Sequence, residues 1–222
     1  MKYVNLFAAV CVVLLIAHLA LADVVFSDSE FAEADWELTV LMDGPGGTIT
    51  ATQVISGGNP GAYRNVTHVL NAPERGRRSR VVGLHLPIGA SYDPQLEGPI
   101  ASIDYSQDAL GIAIVGAGMR TTPLILQDGN AYQTLGSLVT QPVWTTVSPS
   151  GLTEVDFALI RPNLSVDFSV HPDFSESGAP LRLGFTSSNS TGSNCCGFRM
   201  VAGIDNWSIS IVQDEQAICE ED

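Results

Sequence analysis

Lysine is almost missing from this 222-residue chain. Lys2 stands alone, and nine arginines face 24 acidic residues for a formal charge of −14. A surface so poor in positive charge repels polyanions, which argues against a nucleic-acid partner. Aromatic residues make up only 7% and charged residues 15%, yet 45% of the chain is hydrophobic, enough to bury a core and too much for a disordered chain. The sequence contains no Gly-rich phosphate loop, no nucleophile elbow and no His-rich zinc spacing. It also lacks any long stretch of helical period, any low-complexity linker and any internal repeat, which points to one domain over residues 23–222.

The first 22 residues run from Lys2 through an apolar stretch, Leu6 to Ile16, to Ala20-Leu21-Ala22. The apolar stretch is short for a membrane span, and the small-residue triplet predicts a secretory signal peptide cleaved before Asp23. The expected product is a secreted, extracellular chain with no membrane span, nine arginines and no lysine. Cys11 leaves with the signal, and Cys195, Cys196 and Cys219 remain. In an oxidising exterior the expected bridge joins Cys219 to Cys195 or Cys196, with one thiol left over; a metal site fits less well, because adjacent cysteines lack C-x-x-C spacing.

Short runs rich in Val, Ile, Thr and aromatics, broken by Gly, Pro, Asn and Asp, predict an all-β chain. Strands are expected at 36–42, 48–55, 62–70, 99–106, 122–127, 130–135, 143–147, 154–160, 181–187 and 204–212, the first three joined hairpin-like through Gly44-Pro45-Gly46-Gly47 and Gly57-Gly58-Asn59-Pro60-Gly61. Val82, Leu84 and Leu86 alternate inward and leave His85 outward, and Ile112 to Val115 reads as a central strand covered on both faces. About a dozen strands in some 200 residues favour an antiparallel two-sheet β-sandwich, or jelly roll, over a parallel α/β fold.

In the segment Gly203 to Ile211, alternation sets Asp205, Trp207, Ile209 and Ile211 on one face. An acid on an apolar face must be paired, hydrogen-bonded or bound to a cation. Calcium takes roughly six to eight oxygen ligands, and Ser27-Asp28-Ser29-Glu30 would add acids if the first strand lies beside the last. The alternative is a turn-capping Asp205 without metal.

Phe26-Ser27-Asp28-Ser29-Glu30-Phe31, Asp35-Trp36, Gly57-Gly58-Asn59-Pro60-Gly61, Gly184-Phe185 and Gly203-Ile204-Asp205-Asn206-Trp207 together resemble secreted domains of the concanavalin A-like lectin/glucanase superfamily, laminin-G-like jelly rolls included. The resemblance implies a sandwich, frequent glycan recognition, and a structural calcium ion on Asp28 or Glu30 and Asp205. It also implies that an enzyme of this type would carry Glu, Asp and Glu at alternate positions of one strand. Glu154-Val155-Asp156 begins such a pattern and Ala158 ends it; Arg64 and His68 share a face that Tyr63 does not, so a lyase-like trio does not converge either.

Sugar binding needs a flat ring to stack on a pyranose and polar groups for its hydroxyls. Trp36 and Trp207 share faces with aliphatics and belong in the core. Trp144 and Tyr92, the latter in the turn Ser91-Tyr92-Asp93-Pro94-Gln95, are the candidate glycan contacts. The favoured function is a non-catalytic module that binds carbohydrate; a glycan-cleaving enzyme and a structural or adhesion protein are the alternatives. Arg75-Gly76-Arg77-Arg78-Ser79-Arg80 reads as a solvated basic loop or a docking point for an acidic partner, and sequons fall at Asn65, Asn163, Asn189 and Asn206, the last awkwardly beside Trp207.

Overall fold

The computed structural model describes residues 23–116, 118–139, 141–192 and 196–214, so the expected signal peptide, Cys195 and Cys219 lie outside the described residues; Cys196 is an exposed free thiol. The strands in chain order are β1 (Val24–Asp28), β2 (Trp36–Asp43), β3 (Gly47–Gly58), β4 (Gly61–Leu70), β5 (Arg80–Pro87), β6 (Ser91–Tyr92), β7 (Ile100–Ala113), β8 (Met119–Gln127), β9 (Asn130–Gln133), β10 (Ser137–Val139), β11 (Thr145–Val147), β12 (Ala158–Ile160), β13 (Val166–Asp167), β14 (Leu181–Ser190) and β15 (Phe198–Gln213). They form two antiparallel sheets. One runs β11-β7-β15-β4-β3 with β1 added on β15; the other runs β13-β12-β9-β8-β14-β5-β2, with β10 on β8 and β6 on β14. The expected all-β sandwich is therefore present, and β1 lies antiparallel beside β15, Asp28 facing Trp207 across the pair.

Several elements differ from expectation for physical reasons. The Gly44–Gly47 turn carries the chain from β2 in one sheet to β3 in the other, so of the first three expected strands only the second and third, β3 and β4, make a hairpin. Ile112 and Val115 are about half exposed, because they sit where β7 runs out. Residues 154–156 form a 3-10 turn in which the Asp156 carboxylate accepts from the Thr153 backbone N–H and hydroxyl, local bonding that displaces a strand and takes Glu154 and Asp156 away from any strand face. In β5 the assignment of faces is reversed: His85 points between the sheets, while Val82, Leu84 and Leu86 join Leu124, Ala131 and Ile160 in a second apolar layer on the outer side. With both faces of β5 covered, a period of two cannot say which face is the main core.

The main core is built on aromatics. Trp36 touches Phe31, Phe185 and Trp207 at centroid distances of 5.3, 5.6 and 5.4 Å. The guanidinium of Arg64, a side chain only 2% exposed, lies 5.1 Å from the centre of the Trp36 ring, where the ring's quadrupole attracts it. Burial lowers its pKa to about 10, opposed by the charges of Glu33 and Asp28. Arg64 Nε donates to His85 Nδ1 at 3.3 Å, which fixes the proton of a neutral His85 on Nε2; that N–H donates to Ser187 Oγ at 2.8 Å. The same Oγ is 2.9 Å from His68 Nε2, and His85 stacks on Phe185 at 4.3 Å. This polar line crosses from β4 to β5 and β14 and so ties the two sheets together.

Burial pushes the His68 pKa down to about 3, and burial, then Arg64, then His68 push His85 well below 6.5. Both imidazoles are neutral when folded but bind protons once unfolded below the usual value near 6.5. Stability is thus complete above that value and falls as pH drops toward the folded pKa values. Denaturant titrations between pH 7.5 and 5.5 should show the folding equilibrium falling about tenfold for each imidazole, and His68→Gln should remove one of the two contributions from the slope while leaving the other.

Candidate functional site

The last strand carries one extra residue. Asp205 faces Asp108 and Ser208 faces Ser106, so Asn206 and Trp207 together oppose Gln107 alone. This β-bulge shifts the alternation by one position. Upstream, Met200, Ala202 and Ile204 point inward; downstream, Trp207, Ile209 and Ile211 do. Asp205 therefore belongs to the outer face, opposite to Trp207, which corrects the alternation expected from the sequence. The bulge falls where the neighbour of β15 changes from β4, paired through Ile204, to β1, paired from Trp207. Asn206 takes a positive φ of 48°, a backbone region that asparagine enters more readily than most residues.

The turn between β3 and β4 closes over this point. The Asn59 backbone N–H and the Asn206 backbone N–H, the latter at 2.7 Å, both donate to the Asp205 carboxylate, which is fully buried beneath them. Burial raises the Asp205 pKa against the effect of those two hydrogen bonds. Next to it Asp108 accepts from Thr146 Oγ1 at 2.6 Å, Asn206 Nδ2 at 2.7 Å and Asn59 Nδ2 at 3.0 Å. Asn206 Nδ2 also donates to Asn59 O at 2.5 Å, so both of its amide protons are in use. Glycosylation of Asn206 would break this network, consistent with its awkward place in a sequon.

Trp144 lies on the same outer face. Its ring reaches across β15 to Tyr63 on β4, in an edge-to-face contact with centroids 5.7 Å apart and planes at 75°. Gly203 makes the crossing possible: a Cβ there would come within 2.9 Å of the indole and 3.1 Å of Tyr63. Both rings are half-buried, so they rest on the sheet and keep one surface toward solvent. Beside them stand the exposed residues Thr146 and Asn59 and the half-buried Asn206.

The other residues singled out from the sequence do not join this group. Tyr92 is 1% exposed; its hydroxyl donates to Gly98 O at 2.7 Å and accepts from Gln213 Nε2 at 3.0 Å, so its ring fills the core. Asp28 sits on the inward-pointing side of β1, where Oδ1 accepts from the N–H groups of Glu30 (2.7 Å) and Phe31 (2.9 Å), and Oδ2 from Trp36 Nε1 (2.6 Å). Asp28 and Asp205 thus occupy opposite faces of one sheet, and Glu30 is exposed. Carboxylates that accept N–H donors and stand on two opposite faces do not converge on one calcium ion, and among the described residues no three His, Cys, Asp or Glu side chains form a group able to hold a metal. Arg64 and His68 do share a face, with Tyr63 on the other, as alternation indicated. Asp108, Thr146, Asn59 and Asn206 were missed; the only local signal was the Asp205-Asn206 pair, a common αL and turn-forming combination.

No family model matches the chain, and no curated protein matches it in sequence. Among solved structures it is similar to the xylan-binding CBM22-1 domain from Paenibacillus barcinonensis, with 12% identity and a TM-score of 0.44 over 86% of this chain and 94% of that one. A protein of unknown function from Shewanella oneidensis gives 11% identity and a TM-score of 0.44 over 85% and 86%. A CBM61 module in complex with β-1,4-galactotriose gives 8% and 0.32 over 82% and 98%.

Asn206→Ala should lower stability by about 2 kcal/mol, through two lost hydrogen bonds and a positive φ imposed on alanine; Asn206→Gly, which relieves the backbone, should cost roughly half as much in denaturant melts. Excess EDTA should leave the thermal midpoint where it stands in added calcium.

Proposed function

We propose that this chain is a secreted, non-catalytic β-sandwich that binds carbohydrate on the outer face of its six-stranded sheet. The observation that carries the reading is the Trp144–Tyr63 pair laid over Gly203, with the Thr146 hydroxyl and the Asn59 and Asn206 side chains beside it. An indole seated over Gly203 and held by the Tyr63 ring offers apolar area for the C–H face of a pyranose at little conformational cost, and neighbouring hydroxyl and amide groups bond the sugar hydroxyls. Asp108 takes no direct part. Its oxygens hold Thr146, Asn59 and Asn206 in place, so the polar groups are set before ligand arrives, which lowers the ordering cost of binding.

Catalysis is not favoured at this site. Glycoside cleavage by paired carboxylates places them about 5–10 Å apart on either side of a sugar bond, whereas Asp205 is covered by the β3–β4 turn and Asp108 is engaged by three donors. A secreted location follows from the signal-like first 22 residues, and no helix among the described residues is long and apolar enough to cross a membrane.

Calorimetric titration with a xylo-oligosaccharide and with β-1,4-galactotriose, probes chosen as neutral β-linked sugars, tests the reading. Binding by at least one of them should weaken by about tenfold or more in Trp144→Ala, a loss of 1.4 kcal/mol or above. Gly203→Ala, which lifts the ring from the sheet, should weaken it in the same direction. Retained affinity in both variants, or no binding to either probe or to a wider neutral glycan panel, would overturn it.

A further inference from the structure

The arginine-rich segment that the carbohydrate reading leaves unused ends at Arg80, and the structure separates that residue from its neighbours. Arg77 pairs with Asp43 at 3.2 Å on the surface, but Arg80 enters β5. Across the sheet Arg80 faces Ser190, and Ser188 faces Arg120. Partners in register share a face, as do residues two apart on one strand, so Arg80, Ser190, Ser188 and Arg120 project together from the outer side of β5, β14 and β8. There they line a cleft of about 670 Å3 that also reaches Val115 and Phe198 at the end of the six-stranded sheet, walled on one side by Leu164 and carrying Gln133.

Three features distinguish this cleft from an ordinary exposed surface. None of the described residues lining it is acidic, although the chain carries 24 acidic residues. Its two guanidinium groups make no ion pair among the described residues. Asp43, which faces Arg80 across β2, is taken by Arg77; Arg80 makes one long hydrogen bond, 3.5 Å to Asn163 O; and Arg120 has no hydrogen bond or ion pair among the described residues. The volume lies within the range of small-molecule sites, about 300–1,000 Å3.

We propose that this cleft is a second binding site, specific for a short saccharide bearing a carboxylate or sulfate group. The planar guanidinium forks of Arg80 and Arg120 match the oxygens of either anion. The hydroxyls of Ser188 and Ser190 suit sugar hydroxyls. Gln133 Oε1 accepts from Thr186 Oγ1 at 3.3 Å, which leaves its NH2 to donate, and Leu164 supplies an apolar wall. The chain's overall negative charge does not prevent this: at physiological salt, fields between exposed charges fade within about 8 Å, so inside the cleft the two nearest cations dominate. The same overall charge disfavours long polyanions, whose remaining charges would lie against the acidic surface.

The arginines and serines of this site stand on the nine-stranded sheet, away from the outer face that carries Trp144, and the proposal is independent of the reading given to that face. Calorimetry on the full chain would compare trigalacturonate, a sulfated disaccharide, a neutral trisaccharide and inorganic sulfate. The expected result is binding of one or both acidic sugars that weakens as salt rises, falls about tenfold or more in Arg80→Gln and in Arg120→Gln, and is untouched by Trp144→Ala. Unchanged thermal midpoints in both arginine variants would show that the loss is not unfolding; should Arg80→Gln lower its midpoint, the exposed Arg120→Gln decides alone. Binding of trigalacturonate alone assigns a uronate, and binding of the disaccharide alone assigns a sulfated sugar. Inorganic sulfate binding as tightly as either sugar, the neutral sugar binding equally well, or wild-type affinity in Arg120→Gln would overturn the proposal, as would no binding of either acidic sugar.

Discussion

The extra residue at Asn206-Trp207 is the constraint on which both the core and the outer face depend. Without it, strict alternation along β15 would place Asp205 on the same side as Trp207, an acid among aromatics with no donor to meet it. The bulge instead turns Trp207 in to meet Trp36 and sends Asp205 out beneath the β3–β4 turn, where two backbone N–H groups meet its carboxylate. It also marks where β4 ends and β1 begins along the same edge of β15. One local irregularity thereby settles strand order, core composition and the position of the polar group beside Trp144.

The interior shows how a sandwich tolerates buried polarity. Among the described residues Arg64 has no carboxylate partner within hydrogen-bonding distance and its Nη1 is unbonded, yet the Trp36 face and His85 Nδ1 hold the rest of the group. Added to burial, a cation so placed opposes a second proton on His85, because Nδ1 would then face Arg64 with like charge. Arg64 therefore contributes both a tie between the sheets and a reason for the lowered His85 pKa. The two proposed sites lie outside this tie, so both are backed by the same packed interior.

Much of the fold could be read from periodicity: strand positions in β2, β3, β4, β8, β14 and β15, the two-sheet arrangement, the core role of Trp36 and Trp207, and the placing of Tyr63 on the opposite face from Arg64 and His68. What escaped has identifiable causes. Asp205 was set on the wrong face because a bulge adds a residue without any compositional mark. His85 was turned outward because Val82, Leu84 and Leu86 form an apolar layer of their own, indistinguishable in sequence from the main core. Tyr92 looked like a loop aromatic, since turn residues around it say nothing of a hydroxyl bonded to Gly98 and Gln213 across the fold. The polar group around Asp108 brings together β3, β7, β11 and β15, and only tertiary pairing assembles it. Alternation left Trp144 either outward or in the core of the second sheet, and nothing in the sequence pointed to the glycine on which it rests.

The central claim is that the outer face of the six-stranded sheet meets sugar through one indole. The chain has three tryptophans, two of them in the core, so their indole N–H signals in a 1H–15N spectrum separate the faces directly. On addition of a bound neutral oligosaccharide, the account predicts that the Trp144 signal shifts while those of Trp36 and Trp207 stay fixed. A bound sugar that leaves Trp144 unmoved would contradict it.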